Sequence, residues 1–182
     1  MNSALIRQLT VAALKAGTTD AGDRVYTPRD WPTHSADYPA LMVQTPFDHK
    51  HSMGRNAPQF VSVTTVRITG RVEAFDTADA ECGALLAEEA LERLRLQVEQ
   101  AVINSYELTR QTQQYKEVRS TIDVDSGGES HIGQLLYEID MEYYQGPEDF
   151  YPVASTPLES LTFRHSEPDG TAQTGFDADL TT

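Results

Sequence analysis

Apolar positions along this chain change their period several times, and each change marks an element. From Ser3 to Ala16 the helical spacing places Leu5, Leu9, Ala12 and Ala13 on one face, with Ile6 and Leu14 beside it. Ser3 is placed to cap this helix and Gly17 to end it. A short strand is expected over Arg24 to Thr27. After it comes a loop punctuated by Pro28, Pro32 and Pro39 that carries the only tryptophan, Trp31. Each proline locks its own φ and restricts the residue before it, so such a loop has a defined shape. Ala40 to Thr45 reads as a compact apolar strand, and Pro46 to Pro58 as a polar loop. Gln59 to Phe75 is the longest alternation. Val66, Ile68, Gly70, Val72 and Ala74 point one way, and Arg67, Thr69, Arg71 and Glu73 the other. Val61 and Val63 fall on the opposite parity, which predicts either a bulge near Thr64 and Thr65 or a strand end covered by a partner.

The dominant helix is expected from Thr77 to Asn104, with Thr77 as cap and Asp79 and Glu81 in the first turn. Its apolar stripe is Cys82, Leu86, Ala90, Leu94, Val98 and Val102, widened by Leu91 and Ala101. Strands over Tyr115 to Val124 and Ile132 to Tyr144 follow, joined by a turn at Asp125 to Glu129. The second strand sets Leu135, Tyr137, Ile139, Met141 and Tyr143 against Gln134, Leu136, Glu138, Asp140 and Glu142. After Gly146 and Pro147 the pattern dissolves into Pro, Ser, Thr and carboxylates. The pattern therefore predicts an α+β domain over residues 1–147, with a single antiparallel sheet and two helices packed on one face. An extended acidic C-terminal arm over 148–182 would be ordered only against a partner.

Composition narrows the function. The 182 residues carry a net charge of -14, with no cluster of Lys and Arg of the kind that neutralises phosphates, which argues against sequence-reading DNA binding. An acidic surface that DNA slides past is still compatible with this charge. The one cysteine, Cys82, excludes an internal disulfide and is expected to be a small, buried or half-buried helix residue. The first residues lack the basic region and apolar block of a secretion signal, and no apolar run has the length of a membrane span. The expectation is a protein made and used in solution, inside a cell at first.

Chemistry-bearing motifs are few. There is no Gly-rich phosphate loop, no Gly-x-Ser-x-Gly elbow and no His-Glu-x-x-His pair. Asp48, His49 and His51, close together in the Pro46 to Pro58 segment, are the one local group with metal-ligand chemistry, and they define an alternative reading as a metal-dependent hydrolase. The other reading of this segment is a solvated loop that meets a neighbouring subunit. Glu138, Asp140 and Glu142 share a strand face, where Arg67, Arg71, Lys116 or Arg119 of neighbouring strands can match them. No cofactor is expected. A large apolar pocket under the long helix would instead mark a small-molecule binding module.

The strings Gly22-Asp23-Arg24-Val25-Tyr26-Thr27-Pro28-Arg29-Asp30-Trp31-Pro32 and Tyr38-Pro39-Ala40-Leu41-Met42-Val43 carry a resemblance. So do Gly70-Arg71-Val72-Glu73-Ala74 and the closing hairpin from Gly133 to Tyr143. Over residues 1–147 the chain resembles the tail terminator (minor tail, neck) proteins of long-tailed bacteriophages. The resemblance implies a structural virion protein at the tail–neck junction, assembled in the host cytoplasm and not an enzyme. It implies a hexameric homo-oligomer ring that stops growth of the tail tube and offers a surface for joining the head. The implied partners are the tail tube protein and the head–neck connector protein, with DNA passing through without specific binding and no membrane involved. A head–tail connector or head-completion protein of the neck is the neighbouring alternative. Interface residues expected on this reading are Arg29, Trp31, Phe47, His49, His51, Arg55, Phe150, Tyr151 and Phe163, with Glu138, Asp140 and Glu142 as an acidic row facing the lumen.

Overall fold

The computed structural model describes residues 1–31, 34–55, 58–76, 82–125, 130–151, 160–166 and 172–179. They form two compact units, Met1–Phe150 and Tyr151–Thr182. The first opens with helix α1, Ser3–Ala16, whose N-cap is Asn2, its side chain accepting the Leu5 N–H at 2.9 Å. The expected cap at Ser3 is thus displaced by one residue. Strand β1 is only Val25–Tyr26, and β2 runs Ala40–Ser52. Strand β3 is Phe60–Phe75, helix α2 is Gly83–Ile103, and α3 is a single turn at Tyr106–Thr109. Strands β4, Gln114–Asp125, and β5, Ser130–Gln145, complete the unit.

The five strands form one sheet in the order β1-β2-β3-β5-β4. It is mixed, not wholly antiparallel as the pattern predicted, because β1 pairs parallel to β2 through Val25 with Leu41 and Tyr26 with Met42. Residues 27–39 are long enough to act as the crossover that a parallel pair requires. All other neighbours are antiparallel. The β3–β5 ladder is unbroken from Phe60 with Gln145 to Phe75 with Ser130, so the parity switch at Val61 and Val63 does not come from a bulge in β3. The irregularity lies in β2, between Gln44 and Phe47. There Pro46, which has no N–H to give a ladder, is absorbed by a bulge, and the strand continues to Ser52. The segment read as a polar loop from Pro46 to Pro58 is mostly strand for this reason.

One sheet face carries the core. Leu41, Val43, Val66, Ile68, Leu135, Ile139 and Met141 are buried there against Leu91, Leu94 and Val98 of α2. The helix can come close because two strand residues opposite it are glycines. A Cβ at Gly133 would lie 2.6 Å from Leu91 Cδ1, and one at Gly70 would lie 3.0 Å from Leu94 Cδ2. The buried stripe of α2 is Ala87, Leu91, Leu94, Val98 and Val102. Leu86 and Ala90 are half-buried, and Cys82 is exposed, ahead of the first turn, not a buried helix residue. The predicted cap Thr77 and first-turn Asp79 and Glu81 lie outside the described residues. Asp76 instead accepts the Gly83 N–H at 2.7 Å.

On α1 the buried residues are Ile6, Thr10, Ala13 and Leu14, while Leu5 and Ala12 face out. Thr10 can take a core position because its hydroxyl donates to the Ile6 carbonyl at 2.8 Å, which removes the penalty of burying it. Asp20 ties the following turn to α2, taking hydrogen bonds from Arg93 Nε at 2.8 Å and Gln97 Nε2 at 2.9 Å.

The second unit is not a wholly extended arm. It contains a two-stranded antiparallel hairpin, β6, Ser160–Ser166, with β7, Ala172–Asp179. Leu161 lies opposite Ala178 and Phe163 opposite Phe176, so cross-strand apolar pairs on one face account for pairing that composition hid.

The seating of α2 can be tested. Gly133→Ala is expected to cost about 1–3 kcal/mol through overpacking, and Leu91→Ala about 2–5 kcal/mol through a cavity. The double variant should lose less than the sum by at least about 0.5 kcal/mol. Urea denaturation of the four chains measures this, and strict additivity would mean that α2 does not rest on Gly133.

Candidate interaction face

The sheet face away from the helices carries Phe47, His49 and His51 and the row of Glu138, Asp140 and Glu142. By register, Phe47, His49 and His51 of β2 project to the same side as Val61, Val63 and Thr65 of β3. The bulge at Pro46 sets this phase. In a regular strand without the bulge, Phe47 would fall opposite Thr64 and point to the buried side, and Asp48 would point away from it. Phe47 is 61% exposed, and His49 and His51 are also exposed. Phe47, His49, Val63 and Thr65 share a shallow depression of ≈ 260 Å³ with Lys116, Glu117 and Asp140. The apolar parity at Val61 and Val63 therefore belongs to this open face.

Asp48 points the opposite way, and this bears on the metal reading. Its carboxylate accepts hydrogen bonds from Thr64 at 2.5 Å and Tyr143 at 3.3 Å and pairs with Lys50 at 3.1 Å. Lys50 also bonds Gln145, whose Oε1 accepts from Ser62 at 2.8 Å. The Met1 ammonium pairs with Asp149 beside this cluster, and Gln145 donates to the Met1 carbonyl. Asp48 is thus engaged by its own strand neighbours and does not face the ring nitrogens of His49 and His51. Among the described residues, no group of three or more His, Cys, Asp or Glu side chains is placed to hold a metal ion. This polar cluster was missed in the sequence. Its one trace was the run of polar residues, Ser62 and Thr64, in the buried phase of an otherwise apolar strand.

Glu138, Asp140 and Glu142 do lie in a row on the open face, but as part of an ion-pair lattice. Arg67 donates to Glu138 at 2.9 Å, and Lys116 meets Glu142 at 3.1 Å. Arg119 stands 3.6 Å from Glu138 and 3.5 Å from Asp140, and Thr65 donates to Asp140 at 2.6 Å. Hydrogen bonds from Gln114 and Lys116, helped by the Lys116 charge, outweigh desolvation and hold the Glu142 carboxyl below its ordinary value. A row whose members are all matched by cations presents far less negative potential than three free carboxylates.

At the other end of this face, the Arg71 guanidinium lies over the Trp31 ring, 4.4 Å from its centroid. Trp31 is half-buried against its own sheet, and Arg29 covers Tyr26 at 4.5 Å. Ala40 and Met42, which share this side by register, are buried. Phe150 packs edge-on against Phe60, with ring centroids 5.5 Å apart. Arg55 is exposed near the tip between β2 and β3. In the second unit Tyr151 is exposed, and Phe163 stacks on Phe176 with centroids 5.6 Å apart. The structure thus brings Phe47, His49 and His51 together and places Trp31 elsewhere on the same face.

A groove of ≈ 380 Å³ lies between the C-terminal ends of α1 and α2, lined by Ala13, Gly17, Gln97 and Ala101 among others. It is not a pocket beneath the long helix, where Leu and Val fill the space. No described helix is long and apolar enough to cross a membrane. The sequence matches no protein-family model, and no curated protein matches it.

Two measurements check this geometry. Arg71→Gln is expected to cost about 0.5–1 kcal/mol by removing the cation–π contact. It should also red-shift the emission of the single tryptophan, and unchanged emission would mean that Arg71 does not cover Trp31. The second concerns acid. Burial raises the Asp48 carboxyl, but bonds from Thr64 and Lys50, the Lys50 charge and Tyr143 together outweigh it and leave it below its ordinary value. A depressed carboxyl contributes stability at pH above its unfolded pKa, about 3.9, and this is lost as pH falls through the folded value. Asp48→Asn should therefore be less stable near neutrality and lose less on acidification, as read by urea titrations from pH 7 to pH 3. A parallel fall in both chains would remove Asp48 from the account.

Proposed function

We propose that this chain is a structural virion protein of a long-tailed bacteriophage. It forms a ring, hexameric on the resemblance in its scaffold strings, that caps the tail tube, ends its polymerisation and receives the head. One observation carries the assembly part of this reading: the sheet ends in two open edges of different chemistry. Strand β1 covers β2 only at Leu41 and Met42, so β2 has no further neighbour beyond it from Val43 to Ser52 among the described residues. On the opposite side β4 is the last strand, with Lys116, Glu117 and Arg119 along it. Two unlike edges on one rigid sheet suit head-to-tail contacts, and such contacts close into rings when the rotation per subunit allows.

The α+β fold and exposed Phe47 are compatible with a subunit that works by docking. The net charge of -14 favours free passage of DNA. That repulsion comes from the whole chain, since the Glu138, Asp140 and Glu142 row is cation-matched.

The deciding experiment is electron microscopy of particles assembled without this protein. The cap reading expects tails longer than normal, restored to length by the supplied protein. Tails of normal length detached from filled heads would replace it by the connector reading. Tails unchanged in length and attachment would remove both.

A further inference from the structure

We propose that the β6–β7 hairpin of one copy adds to the open β2 edge of a second copy, between Phe47 and Ser52. The inference deepens the ring reading, from which it takes the second copy.

Hairpin chemistry supports it first. Leu161 and Phe163 of β6 stand opposite Ala178 and Phe176 of β7, so one face is apolar. Leu161, Phe163 and Phe176 are 46%, 52% and 54% exposed, although two of them are stacked aromatics. A two-stranded hairpin is marginal in water without a surface to cover such a face. Ser160, Thr162, Asp177 and Asp179 form the other face by the same register.

The receptor has matching length, shape and charge. Past the bulge at Pro46, residues Phe47 to Ser52 give a straight run of six edge positions, comparable with the seven residues of β6 and eight of β7. An added strand would gain ladder hydrogen bonds there. With the hairpin in the plane of the sheet, its apolar face continues the open face next to Phe47, which stands on that side of the edge strand. The charges are also complementary. Residues 151–182 carry Glu159, Glu167, Asp169, Asp177 and Asp179 against Arg164 alone. In the β2 tip Asp48 is matched by Lys50, and the exposed Arg55 adds a positive charge. Over residues 47–55 the charged residues are Asp48, Lys50 and Arg55, so this stretch is net positive in a chain of net charge -14 and repels an acidic segment less than the chain's average surface.

The test uses the full chain with Cys82→Ser. One preparation carries Ser52→Cys, another Ser160→Cys, and the two are mixed and treated with a short bis-maleimide. The expected result is a product joining position 52 of one chain to position 160 of another, identified by peptide mass spectrometry. Phe163→Ser with Phe176→Ser should abolish it, and Asp177→Lys with Asp179→Lys should reduce it at least tenfold while tryptophan emission stays unchanged. Cross-linking only when both cysteines are on one chain overturns the proposal. Rings that form from the two mixed cysteine-bearing chains without the product, or hairpin variants that assemble as wild type, overturn it and leave the ring reading standing. A wild-type chain that stays monomeric at every concentration, and on tail tubes, overturns both.

Discussion

A sixteen-residue antiparallel ladder between β3 and β5 governs the rest of this structure. Because side chains alternate along a strand, an unbroken register divides both strands into the same two faces from end to end. One face receives α2, with Leu91 over Gly133 and Leu94 over Gly70. The other is left to charges and exposed aromatics. A slip of β5 by one residue would put Glu138 under the helix and Ile139 in water while Arg67 and Val66 of β3 kept their faces, so the hydrophobic gain of the core and the pairing of the surface ions hold the same register.

The flanking strands carry the irregularities that the central ladder excludes. The β2 bulge at Pro46 lets the strand run on and turns Phe47, His49 and His51 to the open face while Asp48 turns inward. Strand alternation past the bulge puts Asp48 on the opposite face from His49 and His51, which adjacency in sequence had suggested as a metal group. It also creates the polar cluster of Asp48, Lys50, Ser62, Thr64, Tyr143 and Gln145, which occupies the buried phase where the helices no longer cover the sheet. The open face is correspondingly divided. Its β4–β5 side is an ion-pair lattice, its β2 tip carries Phe47, His49 and His51, and its other end is closed by Trp31 under Arg71. A surface built this way has patches that can distinguish partners, which is what the ring proposal requires of a subunit with two different neighbours.

Much of the architecture was legible in the chain. Strong periodicity located α1 from Ser3 to Ala16, the long alternation ending at Phe75, the body of α2 and the closing β4–β5 hairpin, because burial on one face enforces a period that survives in the sequence. Boundaries set by single side chains were less legible. Asn2, not Ser3, caps α1, and Thr10 enters the core because its hydroxyl finds a carbonyl one turn back. The C-terminal segment reads as an extended acidic arm since its carboxylates and prolines hide two short strands whose apolar residues meet only across the pair.

By itself, the order of apolar and polar residues determined the α+β class, the two faces of the central strands and the acidity of the chain, since these depend only on local period and composition. The tertiary structure decided which strands are neighbours, that β1 runs parallel to β2, where Asp48 turns and which cations answer Glu138, Asp140 and Glu142. Those outcomes depend on register and on groups distant in the chain, such as Arg67 with Glu138 and Lys50 with Gln145, and no local pattern encodes a partner that only folding brings within reach.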